Sequence, residues 1–237
     1  MFMWEGNITT TVAATMSWGI ILTLVIIVYR KQAEKVRLWK ILIAYIIGLV
    51  SFSISFQYFG EGLKIAILPL GVWLLFAVLY RRKSWQRYRK FAWLGFLSNF
   101  IFLGSAFISI PIHHWIYPQN ELNTFVTDLS DATIIVTHPS GNAQVQLTPQ
   151  AAEALEQPQH GFIDSIEWYN ELAFQEPKDR QEKFPYLLLG TTARWGSGYK
   201  PTVFLERDGK GLLITTEKKQ LYFRTPQSLL SEVTSHD

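Results

Sequence analysis

Between residues 11 and 116 the chain alternates long apolar runs with short charged loops. A helix needs about 20 mostly apolar residues to cross the hydrocarbon core of a bilayer. Four stretches meet or approach that length, at residues 11–29, 38–59, 64–80 and 91–110. The first ends in the unbroken run Ile20-Ile21-Leu22-Thr23-Leu24-Val25-Ile26-Ile27-Val28, and the second carries only Lys40, near its edge. The third is short, with Lys64 at its end placed to snorkel. Pro111 follows the fourth, where the pattern predicts that the helix stops or bends. The expected architecture is a multi-pass α-helical membrane protein. A four-helix transmembrane bundle fills residues 1–117, followed by a C-terminal extracytoplasmic α+β domain over residues 118–237.

Lysine and arginine in short loops set the orientation of such a protein. The first connection holds Arg30, Lys31, Lys35 and Arg37, and the third holds Arg81, Arg82, Lys83, Arg87, Arg89 and Lys90. The second connection, around Gly60-Glu61-Gly62, and the segment 1–10 are almost bare of positive charge. Both basic loops therefore belong in the cytoplasm, and both termini lie outside it. A cleavable signal would have a basic region before its apolar core. None precedes residue 11, so the first span is expected to stay in the protein.

In the C-terminal part, residues 132–136 read as a β-branched strand, 138–142 as a turn and 144–147 as a partner strand. Thr148-Pro149-Gln150 then has the chemistry of a helix start, with Thr as N-cap and Pro in the first turn. A second helix is expected over 162–172, a charged connection over 176–183, and strands over 186–195, 202–207, 212–216 and 221–224. Asp208-Gly209-Lys210-Gly211 has hairpin-turn chemistry. Thr225-Pro226-Gln227 repeats the helix-start pattern and predicts a last short helix through Val233.

Charge changes the picture only by its distribution. The formal net charge of +3 divides into +9 for residues 1–113 (12 Lys+Arg, 3 Asp+Glu) and −6 for residues 114–237 (10 Lys+Arg, 16 Asp+Glu). The basic residues sit in the two juxtamembrane loops, where facing anionic lipid accounts for them. No nucleic-acid role is expected. The chain contains no cysteine, which suits a domain on a bacterial cell membrane better than a disulfide-forming lumen.

Candidate chemistry is sparse. Gly48, Ser51 and Ser55 fall on one face of the expected second span, and Asn99 lies on a face of the fourth. Small residues let helices approach and an Asn can bond across an interface, so these positions read as bundle packing or a polar path. Homo-oligomers could use the same faces. His113 and His114 at the outer end of the fourth span are weak metal candidates, because adjacent helical residues point about 100° apart. Asp128 and Asp131 could pair as carboxylates, but a flexible polar linker explains them. The glycines of Trp195-Gly196-Ser197-Gly198 lack the strand-to-helix context of a phosphate loop. No Gly-x-Ser-x-Gly, His-Glu-x-x-His or Cys-His pair is present. Aromatic residues are plentiful beyond residue 160, and Trp195, Tyr199 and Tyr222 are the candidates for a partner-binding face.

The expected function is non-enzymatic, without cofactor. The outer domain binds another membrane or cell-envelope protein, as an accessory, sensory or assembly subunit, and the lipid bilayer surrounds the spans. The alternative is a small transporter or channel subunit with the helix bundle as the solute path.

Overall fold

The computed structural model describes residues 6–32, 36–155, 158–161 and 181–232. The chain divides into two compact units, Ile8–Ile116 and a second made of Tyr117–Asp237 with Met1–Asn7.

The four-helix transmembrane bundle does not form. Among the described residues, two helices are long and apolar enough to cross a membrane, α1 (Ile8–Arg30) and α4 (Trp85–Ile116). The expected second and third spans each break into a helix and a strand: α2 (Leu38–Leu49) with β1 (Phe52–Tyr58), and β2 (Glu61–Leu68) with α3 (Leu70–Arg81). At 12 residues each, α2 and α3 extend about 18 Å, short of a hydrocarbon core of about 30 Å. The reason is legible in residues 51–58, Ser-Phe-Ser-Ile-Ser-Phe-Gln-Tyr, which alternate with a period of two. That alternation is the signature of a strand, and total apolarity conceals it. β1 and β2 pair antiparallel with Phe56 opposite Leu63. They join through Phe59-Gly60, both at positive φ (51° and 75°), the geometry of a two-residue hairpin turn that follows strand twist.

The helices of this unit pack around α4. Ala92 of α4 approaches Gly48 of α2 so closely that a Cβ on Gly48 would overlap the Ala92 carbonyl, and a Cβ on Gly95 would overlap that of Tyr45. Pro69 and Gly71 form the junction between β2 and α3. The Gly71 N–H donates to the Val50 carbonyl at 2.8 Å, and a Cβ on Gly71 would overlap the Ile47 carbonyl. Phe107 of α4 stacks on Phe56 of the hairpin, centroids 6.1 Å apart, and His114 lies 5.6 Å from Phe59. Pro111 neither stops α4 nor ends it, since the helix runs on to Ile116.

The unit has an apolar core, and much of its surface is apolar as well: Trp18, Leu22, Leu42, Trp73, Leu74, Leu97 and Ile108 are each at least 50% exposed.

Among the described residues the second unit is mainly β-structure, with one short helix and a 3₁₀ turn. Ten short elements among the described residues follow α4: a 3₁₀ turn (Leu122–Thr124), β3 (Thr133–Val136), β4 (Val145–Leu147), α5 (Ala151–Ala154), β5 (Gln159–Gly161), β6 (Tyr186–Leu189), β7 (Thr202–Leu205), β8 (Gly211–Thr215), β9 (Gln220–Arg224) and β10 (Leu230–Glu232). Six strands form one antiparallel sheet in the order β3-β6-β7-β8-β9-β5, and β10 pairs with β4. Alternation along the strands sends Tyr186, Leu188, Val203, Leu205, Leu212 and Ile214 into one core. The helix predicted from Thr148 shortens to the single turn of α5. Thr225-Pro226-Gln227 starts no helix: the Thr225 hydroxyl is used on the carbonyls of Lys210 (3.1 Å) and Gln227 (2.7 Å), and the chain turns into β10. The helix expected over 162–172 lies outside the described residues.

The expected flexible linker is also corrected. Leu122, Phe125 and Val126 are at most 1% exposed and belong to the same core. The Thr127 N–H donates to Thr192 at 2.8 Å, fixing the segment to the sheet side of the unit.

Candidate functional site

The most chemically dense place in the molecule lies where β7 leaves the sheet for its turn into β8. Glu206, Arg207 and Asp208 occupy that turn, Tyr222 and Arg224 reach it from β9, and Gln181, Glu182 and Lys183 approach it ahead of β6. Gln181, Glu182, Lys183, Glu206, Arg207 and Asp208 line an open cleft of about 400 Å³. A neighbouring hollow of about 300 Å³ shares Arg207 and Asp208 and adds Ser140, Asn142, Tyr186, Ser228 and Ser231.

Glu206 is the hub, its side chain 14% exposed. It accepts a hydrogen bond from the Tyr222 hydroxyl at 2.6 Å and from Arg224 Nη1 at 2.8 Å, and Lys183 Nζ lies 3.8 Å away. Arg224 also bridges to Asp208 through Nη2. Burial and the bond to Glu206 push the Tyr222 phenol up to about 12, so it stays a proton donor at neutral pH. Hydrogen bonds to Tyr222 and Asp208 raise Arg224 further above its ordinary value. Partial burial pushes Asp208 up, but the Lys210 N–H and Arg224 outweigh it and hold the carboxyl below its ordinary value. Acids and bases therefore neutralise one another. Such a cluster fixes the geometry of the β7–β8–β9 region without leaving a primed nucleophile or base.

Arg207 is held differently. Its Nη2 donates to the Glu182 carbonyl at 2.9 Å and its Nη1 to Gln181 Oε1. Its Nε is buried and has no hydrogen-bond partner among the described residues. Arg207 lines both hollows.

The structure does not gather the three aromatic candidates onto one face. Tyr222 is 8% exposed and committed to Glu206. Tyr199 is half-buried; its hydroxyl accepts from Gln119 Nε2 at 2.7 Å and its ring lies 5.0 Å from Phe125. Trp195 alone of the three is open, at 62% exposure. Asp128 takes both the N–H and the hydroxyl of Ser130, at 2.8 and 2.9 Å, which lowers its pKa.

In the first unit, Gly48 and Asn99 meet at the contact of α2 and α4. Asn99 Nδ2 donates to the Leu49 carbonyl at 3.2 Å and to Phe96 at 3.0 Å. Ser51 faces Ser53 at 3.3 Å beyond the end of α2, and Ser55 is exposed on β1, so the supposed single helical face does not exist. Tyr45 donates to Ser98 at 3.1 Å, which donates on to the Leu94 carbonyl at 2.8 Å. These polar groups serve helix packing. His113 and His114 sit side by side in the last turn of α4, ring centroids 6.0 Å apart. Among the described residues, no three His, Cys, Asp or Glu side chains form a group that could hold a metal ion.

The cleft residues escaped sequence reasoning because each lies in a charged turn, where solvation is the ordinary explanation. The one available signal was Glu206-Arg207-Asp208 directly before Gly209, facing Arg224 across a predictable hairpin. In comparisons with known proteins, the chain matches no family, no curated protein and no solved structure.

Proposed function

We propose that this chain is a non-enzymatic integral membrane protein. Its second unit lies outside the cytoplasm and binds a polar segment of another membrane or cell-envelope protein, in an accessory, sensory or assembly role. The observation that carries the proposal is the outward-facing apolar surface of residues 8–116, far beyond the few hundred Å² that water-soluble monomers expose. In this reading α1 and α4 are the two complete crossings. The basic clusters at 30–37 and 81–90 face the cytoplasm and both termini lie outside. Phe107 lies about 24 Å along α4 from Phe91, near the far boundary of a hydrocarbon core about 30 Å thick. In this reading the tip of the hairpin, where Phe59 lies beside His114, reaches the outer end of α4. The partner's chemistry follows from the cleft: the donors and acceptors around Arg207, balanced in charge, suit a polar peptide segment.

Two experiments test this. The chain has no cysteine, so single cysteines report topology cleanly. Ala143→Cys should react with a membrane-impermeant maleimide in intact cells, and Gln86→Cys only after permeabilisation. The reverse pattern would sink the orientation. Photoreactive residues at Gln181 and Ser228 should capture a reproducible protein partner, and Arg207→Glu should abolish the capture. If nothing but the protein itself is recovered, the binding role fails while the topology stands.

A further inference from the structure

The loop joining β6 to β7, residues 190–201, is fastened to the two points where the chain enters and leaves its apolar unit. The Tyr117 hydroxyl donates to the Trp195 carbonyl at 3.0 Å, and the Arg194 guanidinium lies over the Tyr117 ring, 5.5 Å from its centroid. Tyr117 is the residue immediately after α4. On the other side of the loop, Gly198 takes a positive φ of 72° and packs against the backbone of Asn7. A Cβ there would lie 2.8 Å from the Asn7 nitrogen. Asn7 is the residue immediately before α1. The loop is itself ordered: Ser197 is buried, its N–H donates to the Arg194 carbonyl at 3.1 Å, and its hydroxyl accepts from the Tyr199 N–H at 3.3 Å.

Against this fixed backbone the Trp195 side chain stands 62% exposed, flanked by exposed Arg194 and Lys200. An exposed indole on a braced loop is costly in water. It is the favoured side chain at the headgroup level of a bilayer, where its apolar body and its N–H are both accommodated. Arginine and lysine beside it can lay their stems along the acyl boundary and keep their charges among phosphates. Covalent connection places Asn7 and Tyr117 at the outer ends of α1 and α4, and the loop bonded to both is held at that depth.

We infer that Arg194, Trp195 and Lys200 form an interfacial anchor through which the second unit rests on the lipid headgroups of the membrane it is tethered to. This rests on the membrane reading above.

The test uses the full chain in vesicles of phosphatidylcholine and phosphatidylglycerol, with a fluorophore on single cysteines at Trp195, Lys200, Ile135 and Leu22. Ile135 is exposed on β3 and Leu22 on α1. Labels at 195 and 200 should be quenched more strongly by headgroup-labelled lipid than by lipid labelled at the acyl-chain end. The label at 22 should be quenched by the acyl-labelled lipid, and the label at 135 by neither. If 22 behaves as expected but 195 and 200 are quenched no more than 135, the anchor is overturned and the membrane reading survives. Equal quenching at 135 and 195 also overturns it, because the contact would not be specific to this loop. If 22 is unquenched, the membrane reading falls and the anchor with it.

Discussion

Replacing Tyr222 by Phe isolates one bond in the cleft, the 2.6 Å hydrogen bond from its hydroxyl to Glu206. A hydrogen bond to a charged acceptor contributes roughly 1.5–3 kcal/mol. The phenol's rise from 10.0 to about 12 is caused first by burial and only then by this bond, so at about 1.36 kcal/mol per pH unit it sets a ceiling of about 2.7 kcal/mol on both together. Glu206 keeps Arg224 at 2.8 Å and Lys183 at 3.8 Å after the substitution, so it is not orphaned. With solvent reaching the cleft, screening brings the expected loss down to about 1–2 kcal/mol. The assay is urea unfolding of the full chain in nanodiscs, followed through the β-sheet circular dichroism signal. At a urea slope of 1–3 kcal/mol per molar, the midpoint should fall by roughly 0.5–1 M at pH 8. The pH dependence has a definite sign. The folded phenol is raised above its unfolded value, so its stabilisation is complete below pH 10 and is lost as pH rises to about 12. Wild type should therefore lose its advantage over Tyr222→Phe progressively across that window. An unchanged midpoint at pH 8, or a gap that stays constant from pH 10 to 12, would refute the hub role of Glu206.

Three further outcomes follow from packing. Leu205→Ala removes a fully buried side chain from the second unit's core and should cost about 2–5 kcal/mol in the same urea assay. Gly95→Val places a branched side chain against the Tyr45 carbonyl, an overpacking of about 1–3 kcal/mol or more. It should show as polydispersity on size-exclusion chromatography in detergent, while a surface change such as Gln86→Ala should leave the profile intact. Asn99→Leu deletes the bond to the Leu49 carbonyl and should cost roughly 0.6–2 kcal/mol, read as a lower thermal midpoint of the helical signal. A larger loss of stability in Gln86→Ala than in Asn99→Leu would contradict the packing role given to Asn99.

Much of the chain's layout follows from local pattern. The apolar runs of α1 and α4, the opposite charge of the two halves and the hairpin joining β7 to β8 through Asp208-Gly209-Lys210 are all short-range features, written in adjacent residues. Other features depended on what lay opposite in space. Residues 50–68 are apolar enough for a helix, yet Gly71 against Ile47 and the aromatic contacts with Phe107 favour a hairpin laid along α4. Thr-Pro-Gln occurs twice with the same local propensity. At 148 it opens one helical turn; at 225 the Lys210 carbonyl claims the Thr hydroxyl and a strand follows. The cleft draws on Lys183, Glu206, Tyr222 and Arg224, which come within bonding reach only when β6, β7, β8 and β9 pair in register. The segment around Asp128 and Asp131 reads as a polar linker in sequence, while Leu122, Phe125 and Val126 just before it join the core. By itself the sequence determined the solvent each segment prefers, because that depends on a residue's own side chain. The tertiary structure decided which apolar runs become strands and which charges meet, because those depend on partners far away along the chain.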